Sequence, residues 1–164
     1  PLTGGAPQLF KGAAVTPVYE PRALQINKLR QKVEAGAQYI QTQGVFDLAQ
    51  LEGFLEDVEK ANIRIPVMAG IIPLKSAGMA RFMNENVPGI AVPEEMLTRL
   101  DAAAVEGKEK GVKGLPARLG MEMAARMIAE IREKKLCPGV HIMAIGAEKN
   151  VPSILDMAGV HILP

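Results

Sequence analysis

The chain has 164 residues, 48% of them hydrophobic and 23% charged, with a formal net charge of +1. That is enough apolar material for one globular domain with its own core, and the near-neutral balance leaves no basic footprint for nucleic acid. No stretch approaches the ~20 apolar residues of a membrane span. A single cysteine, Cys137, excludes an internal disulfide framework and suits a reducing cytosol. Residues 1–10 lack the order of a signal peptide, so the expected location is cytoplasmic.

Pro1 to Gln8 is rich in proline and glycine and reads as a loop. Leu9 to Val15 is a short apolar run ended by Thr16-Pro17, which predicts a strand, because proline cannot continue a central ladder. From Arg22 to Ala35, Ile26, Leu29 and Val33 recur at helical spacing, and Gly36 is a natural stop. Tyr39 to Asp47 reads as a second strand. Its side chains alternate between faces, so Gln41 and Gln43 share one face with Tyr39, and Ile40 and Thr42 share the other. Two amides on one face are costly unless they meet a polar partner, either each other and a buried water or a ligand. Leu48, Leu51, Phe54, Leu55 and Val58 predict an amphipathic helix closing near Asn62.

Ile65 to Leu74 is almost continuously apolar, the pattern of a strand covered on both faces. Ser76 is placed to cap a helix carrying Met79, Phe82 and Met83. Pro88 to Val92 reads as a connector, and Pro93 opens a helix to about Val105. Glu106 to Gly114 reads as solvated surface, and Leu119 to Ile131 as a long helix ending at Lys134-Lys135. Gly139 to Ala147 predicts a fourth strand, and Pro152 to Ala158 a last helix.

This alternation predicts an α/β fold with parallel strands and right-handed crossovers. The first three strands begin about 28 residues apart, in line with a βα repeat. Four such units make a small doubly wound sheet or half of a barrel. Length favours the sheet, since a barrel needs ~250 residues, but no glycine-rich phosphate fingerprint follows the first strand. The pattern leaves the two open.

Ligands of parallel α/β folds collect at the carboxyl ends of the strands. Here those ends are Thr16-Pro17, Gln43-Gly44, Pro73-Leu74-Lys75 and Gly146-Ala147-Glu148. Gln43 is the sharpest candidate, because an amide both donates and accepts and so suits a heterocycle better than a phosphate. The alternative is an amide that caps neighbouring backbone. Lys28, Arg30 and Lys32 lie on the first helix, either as phosphate ligands or as a solvated face. His141 is expected as a hydrogen-bonded core histidine, His161 as the only other one, and no metal site has workable spacing. Phe82 is expected in the core, or stacked on a ring. Met121, Met123 and Met127 read as core filling.

The segments GAAVTP, KLRQKVEAGAQYIQTQGVFD, MAGIIPLKSAGMARFMNENVPGIAVP and GVHIMAIGAEKNVPSIL resemble methylenetetrahydrofolate reductases over nearly the whole chain, most closely those of acetogen-like bacteria. The resemblance implies the carboxyl-terminal half of a (β/α)₈ TIM barrel: one domain over residues 1–164, four βα units with a helical insertion at about 88–115. It implies a cytoplasmic flavoprotein that binds FAD at the strand ends and reduces 5,10-methylenetetrahydrofolate to 5-methyltetrahydrofolate, with NAD(P)H or an electron-donor protein as reductant. By position, Thr16, Glu20, Ala23, Gln25, Lys28, Gln31 and Lys32 would border the FAD, and Gln43 and Phe82 the folate. Gln25, Lys28 and Gln31 stand where better-known members carry Asp, Asn and Arg. Ala147 stands where they have a substrate-contacting arginine, and near Gly78 or Met79 they have another glutamine. The family's general acid would precede residue 1, so no catalytic residue is expected here. The alternative is a non-catalytic half-barrel that self-associates, as a homo-oligomer, or pairs with a separate catalytic half.

Overall fold

The computed structural model describes Gly4 and residues 9–160. Most of the loop expected over residues 1–8, and His161, lie outside the described residues.

Four strands form one parallel sheet: β1 (Gly12–Val15), β2 (Tyr39–Gly44), β3 (Val67–Ile71) and β4 (Gly139–Ile142). The helices are α1 (Arg22–Glu34), α2 (Leu48–Lys60), α3 (Ala77–Asn86), α4 (Glu94–Glu109), α5 (Leu115–Glu133) and α6 (Val151–Met157), with a short 3₁₀ turn at Glu148–Asn150. Every strand is shorter than its apolar run. Leu9 and Phe10 stay outside β1 and are exposed, and Phe10 stacks on Tyr39 with ring centroids 5.3 Å apart. Asp47 is not strand but the cap of α2, its carboxylate accepting from the amides of Ala49 and Gln50. Part of the surface expected from Glu106 is helical, because α4 runs four residues beyond Val105 before Gly111 ends it at positive φ.

Spatial order equals chain order, β1-β2-β3-β4. A doubly wound sheet reverses direction from a central strand, so the preference drawn from length is corrected. The chain winds one way only, as a segment of a barrel does. The helices follow from that winding. Ala13, Val15, Ile40, Val67, Ala69, Ile71, Val140 and Ile142 share one face, and α1, α2, α5 and α6 pack on it through Leu29, Phe54, Leu51, Ile128 and Ile154. Met127 fills this core and Met121 packs against it, as expected, and Met123 is buried. The opposite face carries Gly12, Ala14, Tyr39, Gln41, Met68 and His141, all half-buried or exposed. His141 is therefore not the core histidine expected. It sits on the edge strand, facing away from the helices, without a side-chain hydrogen-bond partner among the described residues.

A further apolar cluster closes over the carboxyl ends of β2 and β3. Phe46, Ile72 and Leu74 meet Ala80 and Met83 of α3, Ile90 and Val92 of the connector, and Leu97 and Leu100 of α4. Ser76 caps α3 as predicted, accepting from the Met79 amide at 3.1 Å. Helix α5 lies on the Leu74 backbone through Gly120, where any Cβ would collide with the carbonyl. Lys134 at the end of α5 bonds Glu52 of α2 at 2.7 Å and Glu130 at 2.8 Å, and these two carboxylates raise its pKa well above the usual lysine range. No helix among the described residues is long and apolar enough to cross a membrane.

Candidate functional site

The carboxyl end of β2 is built by a bulge. Gln41 pairs with Met68 in regular register, but Gly44 rather than Gln43 stands opposite Gly70. The extra residue breaks the ladder, and Thr42 repairs it from its side chain. Its hydroxyl accepts from the Gly70 amide at 2.8 Å and donates to the Gln43 carbonyl at 2.7 Å. Thr42 is only 3% exposed, so this hydroxyl is what satisfies a buried donor there. Glycine at 70 is required by the same geometry, since a Cβ would stand 2.6 Å from the Thr42 carbonyl oxygen and 2.9 Å from that of Gln43. Bulges at the rim of a sheet re-aim a side chain. Here the residue re-aimed is Gln43, half-buried and without a side-chain hydrogen bond among the described residues. Of the two readings of Gln43, the cap on neighbouring backbone is absent. Thr42 performs that task.

Val15 pairs with Thr42 in the last step of that ladder, and Thr16 follows directly at the end of β1. Its side chain is crossed by Gly89 of the α3–α4 connector. Beyond it, Glu20 accepts from the Arg22 amide at 2.8 Å and pairs with the Arg22 guanidinium at 3.6 Å, serving the start of α1. On α1, Gln25, Lys28 and Lys32 fall on one stripe at i, i+3, i+7 spacing. Gln31 is about a quarter turn away and Ala23 nearly opposite. The stripe runs along the outer edge of β1, because the Lys32 ammonium bonds the Ala14 carbonyl there. Gln25 is buried and Lys28 exposed. Arg30 is committed elsewhere, to the Ala61 carbonyl at the end of α2. Phe82 is 60% exposed on α3 and belongs to no core cluster, so its assignment to the core is corrected.

Two of the strand ends named from the sequence, at Lys75 and Glu148, meet at a turn that the sequence did not show. Beyond β4 the chain turns at Ile145 (φ 47°) and Gly146 (φ 73°). Lys75, from the end of β3, donates to the Ile145 carbonyl at 2.9 Å, and Glu148 accepts from the Gly146 amide at 2.9 Å. The amides of Glu148 itself and of Gly146, with Lys75 nearby, hold the Glu148 carboxyl below the usual range. The strand ends were legible, whereas the left-handed turn has no mark in an Ile-Gly pair. A hollow of about 760 Å³ beside Arg64, Lys135 and Cys137 lies at the opposite, amino end of β3 and β4. Among the described residues no cluster of His, Cys, Asp and Glu is arranged to hold a metal.

The sequence model of the family described as methylenetetrahydrofolate reductase matches residues 14–159, from β1 through α6. The chain belongs to the methylenetetrahydrofolate reductase family. It is 27% identical over 134 residues to methylenetetrahydrofolate reductase 1 of Schizosaccharomyces pombe, covering 82% of this chain and 21% of that protein. It is 26% identical over 142 residues to methylenetetrahydrofolate reductase 2 of Saccharomyces cerevisiae, covering 86% and 22%. A probable methylenetetrahydrofolate reductase (NADH) of Oryza sativa is 28% identical over 132 residues, covering 80% and 21%. The chain thus spans about a fifth of the length of these curated methylenetetrahydrofolate reductases, and the matched span contains the bulge, the α1 stripe and the β4 turn.

Proposed function

We propose that the chain is the carboxyl-terminal half of the catalytic barrel of a FAD-dependent methylenetetrahydrofolate reductase, an oxidoreductase that converts 5,10-methylenetetrahydrofolate to 5-methyltetrahydrofolate. One observation carries the reading: the bulge at Thr42-Gln43 lies at the carboxyl rim, and the Gln43 amide has no side-chain hydrogen bond among the described residues. A primary amide so placed would orient a pterin through paired donor and acceptor contacts.

The α1 stripe fits the flavin. Two ammonium groups and an amide in one row suit a dinucleotide diphosphate and its ribose hydroxyls, so Gln25, Lys28 and Lys32 would hold it, with Thr16 and Glu20 bordering it and Gln31 and Ala23 at its margin. Lys32 would exchange the Ala14 carbonyl for phosphate. When bound, FAD supplies the hydride chemistry. Phe82, its ring exposed, would stack on substrate or nicotinamide. The reductant is NAD(P)H or a donor protein. The carboxylates near the rim are engaged otherwise. Asp47 caps α2, Glu20 holds Arg22, and Glu148 accepts backbone amides that lower its pKa, so none is assigned as the general acid. The proton must come from another part of the protein, so this chain alone would turn over poorly, as general acid catalysis is worth ~10²–10⁴-fold.

The reading is tested in the full-length protein by titrating 5-methyltetrahydrofolate into wild type and Gln43→Ala. Loss of the paired contact is expected to weaken binding about tenfold. Equal affinity would remove Gln43 from the site. A second reading, a half-barrel that works as an assembly module, is favoured by the unpaired edges of β1 and β4 and by the face that no α1, α2, α5 or α6 contact covers. A yellow preparation supports the enzyme, and a colourless oligomer supports the module.

A further inference from the structure

The connector between α3 and α4 touches the ends of two strands. Gly89 has φ 83° and lies against the Thr16 side chain, where an added Cβ would collide with the threonine methyl. The next residue, Ile90, is buried and reaches over Gly44, which directly follows Gln43. A Cβ on Gly44 would stand 3.0 Å from the end of the Ile90 side chain. At both crossings a glycine permits the close approach, so the connector bears on the end of β1 and on the bulge of β2 together.

The connector is held in place from α3. The Asn84 side chain donates to the Val92 carbonyl at 3.0 Å and accepts from the Val92 amide at 2.7 Å. One amide thus closes both polar groups of that residue, as a neighbouring strand would. Asn84 is exposed and adds nothing to the apolar core, so these two bonds are its part in the fold. Arg81, on the preceding turn of α3, pairs with Asp101 of α4 and ties together the helices on either side.

We propose that Asn84 is a positioning residue for the Gln43 site. It sets the connector as a brace across the carboxyl ends of β1 and β2, and through Ile90 on Gly44 it fixes the bulge that aims Gln43. This rests on the folate reading above. Without Asn84, the connector keeps its apolar anchors Ile90 and Val92 but loses the bonds that set their depth, and the backbone beside Gln43 shifts with them. Hydrogen bonds weaken steeply with misalignment, so a small shift of the bulge is felt as lost affinity.

The test measures 5-methyltetrahydrofolate affinity and melting temperature in the full-length protein. Asn84→Ala is expected to weaken binding about fivefold, and Asn84→Asp, which keeps the acceptor for the Val92 amide, to lose less. Val58→Ala, in the core near the end of α2, is the control: it lowers the melting temperature and leaves affinity as in wild type. In a Gln43→Ala background, Asn84→Ala should lose almost nothing further, because its effect passes through that amide. Without ligand, the side-chain amide resonance of Gln43 should move in Asn84→Ala and keep its position in Val58→Ala. Unchanged affinity in Asn84→Ala overturns the proposal, as do losses that add in full in the double variant, or a Val58→Ala variant that binds as weakly. If Gln43→Ala loses affinity and Asn84→Ala does not, the inference fails while the folate reading stands. If Gln43→Ala binds as wild type does, or wild type does not bind, the folate reading fails. The brace is then judged by the Gln43 resonance, and no shift in Asn84→Ala overturns it.

Discussion

Replacing Thr42 by valine keeps the shape of the side chain and removes only the hydroxyl that bridges the bulge. The Gly70 amide then loses its acceptor at 2.8 Å, and the Gln43 carbonyl loses a donor at 2.7 Å. Both groups lie between β2 and β3, and Thr42 is buried, so water cannot replace the hydroxyl without opening the sheet. An unsatisfied buried donor costs about 1–3 kcal/mol. The extra methyl offsets little in a site already filled, which gives an expected loss near 2 kcal/mol and a fall in melting temperature of roughly 4–8 °C for a domain of this size. Thr42→Ser is the control: it keeps both hydrogen bonds and costs about 1 kcal/mol for the deleted methyl. Urea unfolding gives the energies, and amide exchange at Gly70 gives the location. Exchange should accelerate in Thr42→Val and stay at the wild-type rate in Thr42→Ser. A valine variant as stable as wild type, with Gly70 still protected, would show that the hydroxyl does not hold the bulge.

Gly120→Ala should destabilise by about 3 kcal/mol in the same unfolding assay, since its Cβ would be driven into the Leu74 backbone. Gly78→Ala, whose nearest neighbour would be the Ser76 hydroxyl at 3.7 Å, should instead gain up to about 1 kcal/mol from helix propensity. The Glu148–Gly146 bond should survive at neutral pH and fail in acid. A carboxyl whose pKa is depressed by folding stabilises above its unfolded value and loses that contribution as pH falls through the folded one, so the Gly146 amide resonance should move only below the usual carboxylate range near 4.5. Lys32→Met should leave the Ala14 carbonyl open at the edge of β1 and raise the self-association of this chain in sedimentation velocity. An unchanged profile would mean that the lysine does not guard that edge.

The elements were legible because they rest on short-range regularities. Ile26, Leu29 and Val33 recur at helical spacing, Ser76 precedes its helix, and Gly36 ends one. Strand ends were less legible, since a run of apolar residues does not say where pairing stops. Phe10 is as apolar as Val15, but it stacks on Tyr39 outside the ladder and stays exposed. The winding could not be read at all from alternation. Doubly wound sheets and barrels use the same βα unit, and only the order in which strands pair separates them.

The site divides along the same line. Sequence alternation put Gln43 on one face with Tyr39 and Gln41 and left its amide with two readings, a ligand contact or a cap on neighbouring backbone. What it missed was Thr42, placed only with Ile40 on the other face. A hydroxyl that replaces a ladder carbonyl depends on a register shift, and register is a property of two strands. Ile145 is the same case: its left-handed backbone is imposed by Lys75 and Glu148, the first of them 70 positions away in the chain. The residues that carried a local signal were those offering chemistry to a ligand. Those that hold them in position are defined by contacts between elements, and in this fold such contacts gather at the carboxyl rim. That is the physical reason to look first at Thr42, Gly70, Lys75 and Glu148 when Gln43 is mutated. If the rim is a working site, damage to any of the four should be felt at the amide of Gln43 before it is felt in the core.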